Sequence, residues 1–348
     1  MKAYLFCYSK VFYFFLIFSL CQFPIKLFSQ VTSLSQYVLL AGNGGSGTTS
    51  PGSLGYGIVL NAGTSVNGGF LGANSMIKTT GASNINASIF SKGQVVLANS
   101  TTVSGKITAA NIGGLTGNIL STGTSMQLLG NIDINGNINI GGGNVAGTVT
   151  HPAGTSYTGP NPGANIIGSP TLPVLPDFPS ITSFPAAGAT NITNTQVLSP
   201  GSYGNLTLSG NKTITFNGPG VYVFNSMNLS MKNNFVYNFQ NNPTGLFKIY
   251  IHGNMNLDKI TTSFINGGSA SKIFIECHGL GLTSPSGKDA VLIANGPAAT
   301  AGLYAKFHGT IWAPYAAVSI GSSSGGRDFI GSIYSGTQIY LQSNVNMS

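Results

Sequence analysis

Most of the side chains able to do chemistry lie in one stretch, at His252, Asp258, Lys259, Glu276, Cys277, His278, Lys288, Asp289, Lys306, His308, Arg327 and Asp328. Three of them open His-Gly pairs, His252-Gly253, His278-Gly279 and His308-Gly309, at intervals of 26 and 30 residues. If each interval is about one turn of a repeating β structure, the three imidazoles stack into a candidate metal site. Glu276 then stands beside His278 on the same strand face. Against this, no HExxH-like pair or short ligand spacing is present, and each His also reads as a strand end before a glycine corner. No metal or other cofactor is therefore expected. If the chain is an enzyme, its acids are Glu276, Asp258, Asp289 and Asp328, because glycoside cleavage needs paired carboxylates. Lys288-Asp289 and Arg327-Asp328 read more simply as ion pairs in loops. Cys277 alternates with Glu276 and His278 along a strand, which points its thiol into a core as a small apolar group.

These residues must be positioned by a repeating β architecture. The phrase Ile89-Phe90-Ser91-Lys92-Gly93-Gln94-Val95-Val96-Leu97 returns near the other end as Ile333-Tyr334-Ser335-Gly336-Thr337-Gln338-Ile339-Tyr340-Leu341. Each copy is preceded by aliphatic-x-Gly-x-aliphatic, as Phe329-Ile330-Gly331-Ser332-Ile333 and, with Ala for Gly, Ile85-Asn86-Ala87-Ser88-Ile89. The same element starts at Val66, Val103, Leu115, Ile134 and Val145. Steps near 18 to 19 residues between such elements suit one turn of a parallel solenoid. Side chains two apart share a side, so Val95 and Leu97 enter a core while Val96 and Tyr340 face out. Gln94 and Gln338 read as ladder or corner residues.

Composition agrees. Only 6% of residues are charged and 49 of 348 are Gly, while 42% are hydrophobic, enough to fold when spaced two apart. The stretch 1–30 reads as an export signal, with Lys2 and Lys10 before the run Val11-Phe12-Tyr13-Phe14-Phe15-Leu16-Ile17-Phe18 and a cut near Ser29. That run is too short to span a bilayer comfortably, so the mature chain is expected to have no transmembrane span and to be secreted or held at the cell surface. Cleavage removes Cys7 and Cys21, leaving Cys277 without an intrachain partner. Of 14 Lys and Arg, loss of Lys2, Lys10 and Lys26 leaves 11 against 6 acids, too thinly spread for a nucleic-acid partner.

The chain divides into a first solenoid lobe at 31–150, a proline-rich strap or linker at 151–188 and a second lobe at 189–348. Eight of the sixteen prolines fall in the strap, which cannot be central sheet. Ile166, Ile167, Leu172, Val174, Leu175 and Phe178 are its expected anchors. Helix is expected only as a short piece near Leu34–Leu40.

The run Gly201-Ser202-Tyr203-Gly204-Asn205-Leu206-Thr207-Leu208 through Gly218-Pro219-Gly220-Val221-Tyr222-Val223-Phe224 resembles secreted β-helical surface proteins of bacteria, and Gly309-Thr310-Ile311-Trp312-Ala313-Pro314 looks like their last coils. The opening Tyr37-Val38-Leu39-Leu40-Ala41-Gly42-Asn43-Gly44-Gly45 is similar to N-terminal regions of large adhesin-like proteins of Bacteroidota. The resemblance implies surface display without catalysis.

The expected fold is therefore all-β, a parallel β-solenoid of the right-handed β-helix kind with little helix. The expected function is adhesion to polysaccharide or extracellular matrix, with Tyr222, Tyr250, Tyr334 and Tyr340 as an exposed aromatic face. A polysaccharide lyase or glycoside hydrolase is the enzyme alternative. Ice binding is a third, prompted by Thr207, Thr213 and Thr215. Self-association through the solenoid ends is expected too, since the last strand, from Ile339 to Met347, shows no polar cap.

Overall fold

The computed structural model describes residues 33–44, 55–281, 289–294, 306–321 and 327–348. The export signal read at 1–30 lies outside the described residues. Residues Thr32–Ser348 form one compact unit.

The chain is a parallel β-solenoid whose described strands fall into sheets of 17, 12 and 4 strands. One turn is plain in the strands Lys212–Asn217, Gly220–Phe224 and Ser226–Ser230, one on each sheet. The next turn repeats them as Asn233–Asn238, Phe247–Ile251 and Met255–Leu257, in parallel register with the first. Alternation does the sorting: Ile214, Phe216, Phe235 and Tyr237 are buried while the residues between them face out. Helix is confined to two 3-10 turns among the described residues, Leu34–Gln36 and Ala270–Lys272. The helical piece expected near Leu34–Leu40 is thus only its first half, because Tyr37–Ala41 pairs as a strand on both sides.

At Gly105, Gly147 and Gly331 the glycine of the repeated element sits where neighbouring turns come close, whereas at Gly68 and Gly117 the space is open. A side chain at Gly130 would run into the Gly105 carbonyl, and one at Gly147 into the Gly130 carbonyl. The repeated phrase has a matching job. Ser91 Oγ donates to Ser75 O (2.7 Å) and Ser335 Oγ to Ala316 O (3.1 Å), each tying a corner to an adjacent turn. Gln94 Nε2 donates to Asn118 O (2.7 Å) and Gln338 Nε2 to Tyr56 O (2.6 Å). Both glutamines are ladder residues.

The turns do not stack in sequence order. On the large sheet one row runs Ser202, Val223, Tyr250, Glu276, Trp312, Tyr334. From Tyr334 it passes to Leu40 and then through Gly72, Phe90, Thr108, Asp133 and Thr150 to Ile166. The stretches read as two lobes therefore meet in one stack, with the first strand laid against the late strand Arg327–Ser335. The chain's last strands are interior to it. Ile339–Leu341 lies between Tyr56–Leu60 and Ala317–Ile320, and Val345–Met347 between Ser65–Ala73 and Arg327–Ser335. This corrects the expectation that the stretch from Ile339 to Met347 is an open end.

The strap runs back along the stack. Residues 157–167 still supply two edge strands, Tyr157–Thr158 and Ala164–Ile167. From Gly168, bonded to His151 O, to Gly188, bonded to Tyr203 O, the chain is extended without strand pairing. At ~4.8 Å per ladder step, the rows from Ile166 to Ser202 cover roughly 58 Å. A polyproline-like chain at ~3.1 Å per residue reaches about 62 Å over 168–188, whereas a helix would reach about half as far. Pro170, Pro173, Pro176 and Pro179 recur at the three-residue period of that conformation. Leu175 and Phe178 pack on the cluster of Tyr37, Leu40, Trp312 and Tyr334, as expected of anchors. Ile166, Ile167, Leu172 and Val174 do not, and are exposed.

Candidate functional site

The strap is hydrogen-bonded to the stack at Glu276. This carboxylate is fully buried, and its Oε1 accepts from the Thr182 backbone N–H and from His278 Nε2, both at 2.8 Å. Its other oxygen, Oε2, is buried with no hydrogen-bond partner among the described residues. Glu276 and His278 do share a strand face, as their alternation implies. Phe184 of the strap lies flat between His278 (3.8 Å between centroids) and Tyr250 (4.6 Å), with its edge toward His252 (5.3 Å). His252 Nε2 is 2.9 Å from Pro185 O. Tyr315, 47% exposed, closes on His278 edge-on. Ile181, Thr182, Ser183, Phe184, His252, His278 and Tyr315 line a shallow recess of about 470 Å³. Sequence reasoning missed Phe184, Thr182 and Tyr315. An aromatic following the proline series was the available signal for Phe184.

The other expected partners are elsewhere. His308 is the third residue of the strand Lys306–Ala313 and stands two residues before Thr310, the partner of Phe274, so it is roughly 20 Å along the sheet from His278 at ~3.3 Å per residue. It is held by Thr262 Oγ1 (2.7 Å to Nδ1) and packed against Phe264. Burial, and then the charge of Lys306, lowers its pKa below the ordinary histidine value. The three imidazoles do not converge, and among the described residues no three His, Cys, Asp or Glu side chains are placed to hold a metal ion.

Nor are the four carboxylates gathered. Asp258 lies near Arg327, whose buried guanidinium donates to Ala294 O (3.1 Å) and Ile260 O (3.0 Å) and has its pKa lowered by burial to about 10. Asp289 is buried at the start of a twelve-stranded-sheet strand, and Asp328 accepts from Asn346 Nδ2 (3.0 Å). Cys277 is buried between Gly253 O and Ala290 O, and burial pushes its thiol up to about 12, which fits the core role expected of it.

The expected aromatic face is corrected as well. Tyr222 is a core residue whose hydroxyl donates to Gly218 O (2.7 Å). Tyr250 is covered by Phe184, and Tyr334 is buried with its hydroxyl 3.3 Å from both Leu34 O and Tyr37 O. Tyr340 is half-buried, against Asn61 Nδ2 at 3.0 Å.

A different surface is open. The four-stranded sheet consists of Gln196–Leu198, Lys212–Asn217, Asn233–Asn238 and Ile260–Ile265 in parallel register. Outward from consecutive strands point Thr213 and Thr215, Asn234 and Val236, and Thr261 and Ser263. Thr261 donates to the Asn234 side-chain carbonyl, and Asn238 Nδ2 to Asn217 Oδ1 (2.8 Å), so these amides form ladders. None of these outward positions is charged. Thr207 belongs to another face, in a row with Asn228 and Asn256 on the twelve-stranded sheet. Thr213 and Thr215 thus belong to a pattern that a search for repeated Thr-x-Thr misses, because Val197 precedes Thr215 in its row and later turns write the pair as Asn-x-Val and Thr-x-Ser.

No family model matches the chain, and no curated protein does. Among solved structures, an ice binding protein from an Antarctic bacterium Flavobacteriaceae is similar at 14% identity and a TM-score of 0.29, over 90% of this chain and 97% of that one. At that distance the likeness carries no inference about function. Among the described residues no helix is long and apolar enough to cross a membrane.

Proposed function

We propose that this chain is an exported, non-catalytic display module that adheres to an extended, hydroxyl-rich surface such as polysaccharide or extracellular matrix. The observation that carries the reading is the uncharged outer array of the four-stranded sheet, with rows Thr213–Asn234–Thr261 and Thr215–Val236–Ser263. Its side chains sit on a rigid grid of ~4.8 Å between strands and ~6.6 Å between alternate residues. Hydroxyls and amides at fixed spacing, interrupted by Val236, suit a neutral periodic ligand better than a charged one. Sedimentation with insoluble polysaccharides tests this. Thr215→Lys with Val236→Lys should abolish co-sedimentation, and retention of full binding by that variant would overturn the assignment.

The same grid favours ice as a second reading, because an ordered plane of Thr, Ser and Val is also what a crystal face of water would meet. Thermal hysteresis lost in the same double variant would select it. Carbohydrate cleavage is the enzyme alternative. Release of reducing ends by the wild type, abolished in Glu276→Gln, would replace the non-catalytic reading.

A further inference from the structure

Among the described residues, the two ends of the stack are not the first and last strands but internal turns, 157–167 and 188–198. At the first, Ala164–Ile167 pairs with Thr148–His151 on one edge only, and Tyr157–Thr158 with Asn137–Ile140 on one edge only. All four residues of Ala164–Ile167 are exposed, Ile166 at 48% and Ile167 at 67%. Ile167 follows the buried His151 in its row, so it stands where the next turn's side chain would cover it. At the second end, Ile192 bridges Leu206, and Gln196–Leu198 pairs with Lys212–Asn217 on one edge only among the described residues; Leu198 and Ile192 point into the core, and Val197, in register with the outward Thr215, is 63% exposed on this edge strand.

Neither turn contains Asp, Glu, Lys or Arg. Bare strand edges normally carry charge, a covering segment or a bulge that discourages pairing. Here the strap leaves one edge at Gly168 and rejoins the other at Gly188, running alongside the stack and capping neither.

We propose that copies of this chain associate head to tail, the 157–167 turn of one stacking on the 188–198 turn of the next. The occupant follows from the geometry of the edges. A strand added to Ala164–Ile167 continues the parallel ladder of this stack only if it runs parallel and belongs to a turn of the same winding, so that neighbouring strands also pair in register. The opposite end of the same chain supplies such a turn, with its own free edge facing the other way and no charge to bury. Such a contact is heterologous and does not close on itself, so it propagates as an open series.

Sedimentation velocity on residues 32–348, over about 1 µM to about 1 mM, should show a concentration-dependent series of species. Ile167→Lys and Val197→Lys each change an exposed residue, so circular dichroism and melting should match the wild type. Each should weaken association at least about tenfold. Mixed together, the two variants should form dimers and nothing larger, because one intact end remains on each. A wild type that stays monomeric throughout would overturn the proposal. So would dimerisation of Val197→Lys alone, which would signify a symmetric contact between like ends, or a mixture that stays monomeric.

Discussion

Leu39 stands in parallel register with Ile333, and both side chains are fully buried in the same core row. The pair joins the first strand of the unit to one of its last. Each side chain fills space beneath the other, so Leu39→Ala should destabilise by about 2–5 kcal/mol. In urea unfolding, the double variant with Ile333→Ala should depart from additivity by about 0.5–3 kcal/mol. Strict additivity would mean that the two ends of the chain do not meet.

Replacing Gly130 by Ala places a methyl group against the Gly105 carbonyl of the neighbouring turn, and backbone cannot move aside cheaply there. Gly117 has open space around its would-be side chain. Gly130→Ala should therefore lower the melting temperature by several degrees, while Gly117→Ala leaves it unchanged or slightly raised. Equal effects would discount the close corner.

Acid should weaken the fold through His308. Its folded-state pKa lies below the ordinary 6.5, so between the two values the unfolded chain binds more protons and stability falls as pH falls. The urea midpoint should drop from about pH 7.5 to about pH 5.5, and less steeply in His308→Asn. An unchanged slope in the variant would clear His308 of the effect.

Cys277, its thiol pushed up to about 12, should resist thiol reagents near neutral pH in the folded protein and react fully in urea. Modification of residues 32–348 should then proceed no faster than unfolding. Rapid labelling of the native state would contradict the buried placement.

Trp312, the one tryptophan of the chain, lies under Phe178 of the strap with ring centroids 5.2 Å apart. Phe178→Ala should shift its emission to the red and open it to acrylamide. Phe178 is only half-buried, so the loss of stability should be smaller than for Leu39→Ala. Quenching equal to that of the wild type would show that the strap does not cover this ring.

Local features of the fold were legible in the sequence because they are set by neighbours. Val95 and Leu97 point inward by strand alternation, Ser91 and Ser335 mark equivalent corners, and the proline run reads as a strap. The order of the turns was not legible, since an aliphatic row such as Leu39, Leu71 and Ile89 fits many neighbours equally well. The site suffered for the same reason. Tyr222 and Tyr334 look alike in sequence to a surface tyrosine until the core encloses the first and the cluster under the strap encloses the second. Phe184 gains its place between His278 and Tyr250 only when the strap is laid across the turns. The outward array was hidden by chemistry, because Thr, Asn, Ser and Val substitute for one another on a grid that position alone defines.

Repeat proteins usually lengthen by duplicating a unit, each new turn resting on the last. The strap removes that freedom here, being anchored beside one terminal turn at Gly168 and beside the other at Gly188. Each turn added to the stack advances one anchor by ~4.8 Å, which an already extended strap can meet only with one or two further residues. Insertions in the turns and in the strap are thus linked, and the strap acts as a ruler for the number of turns the lineage of this chain can carry.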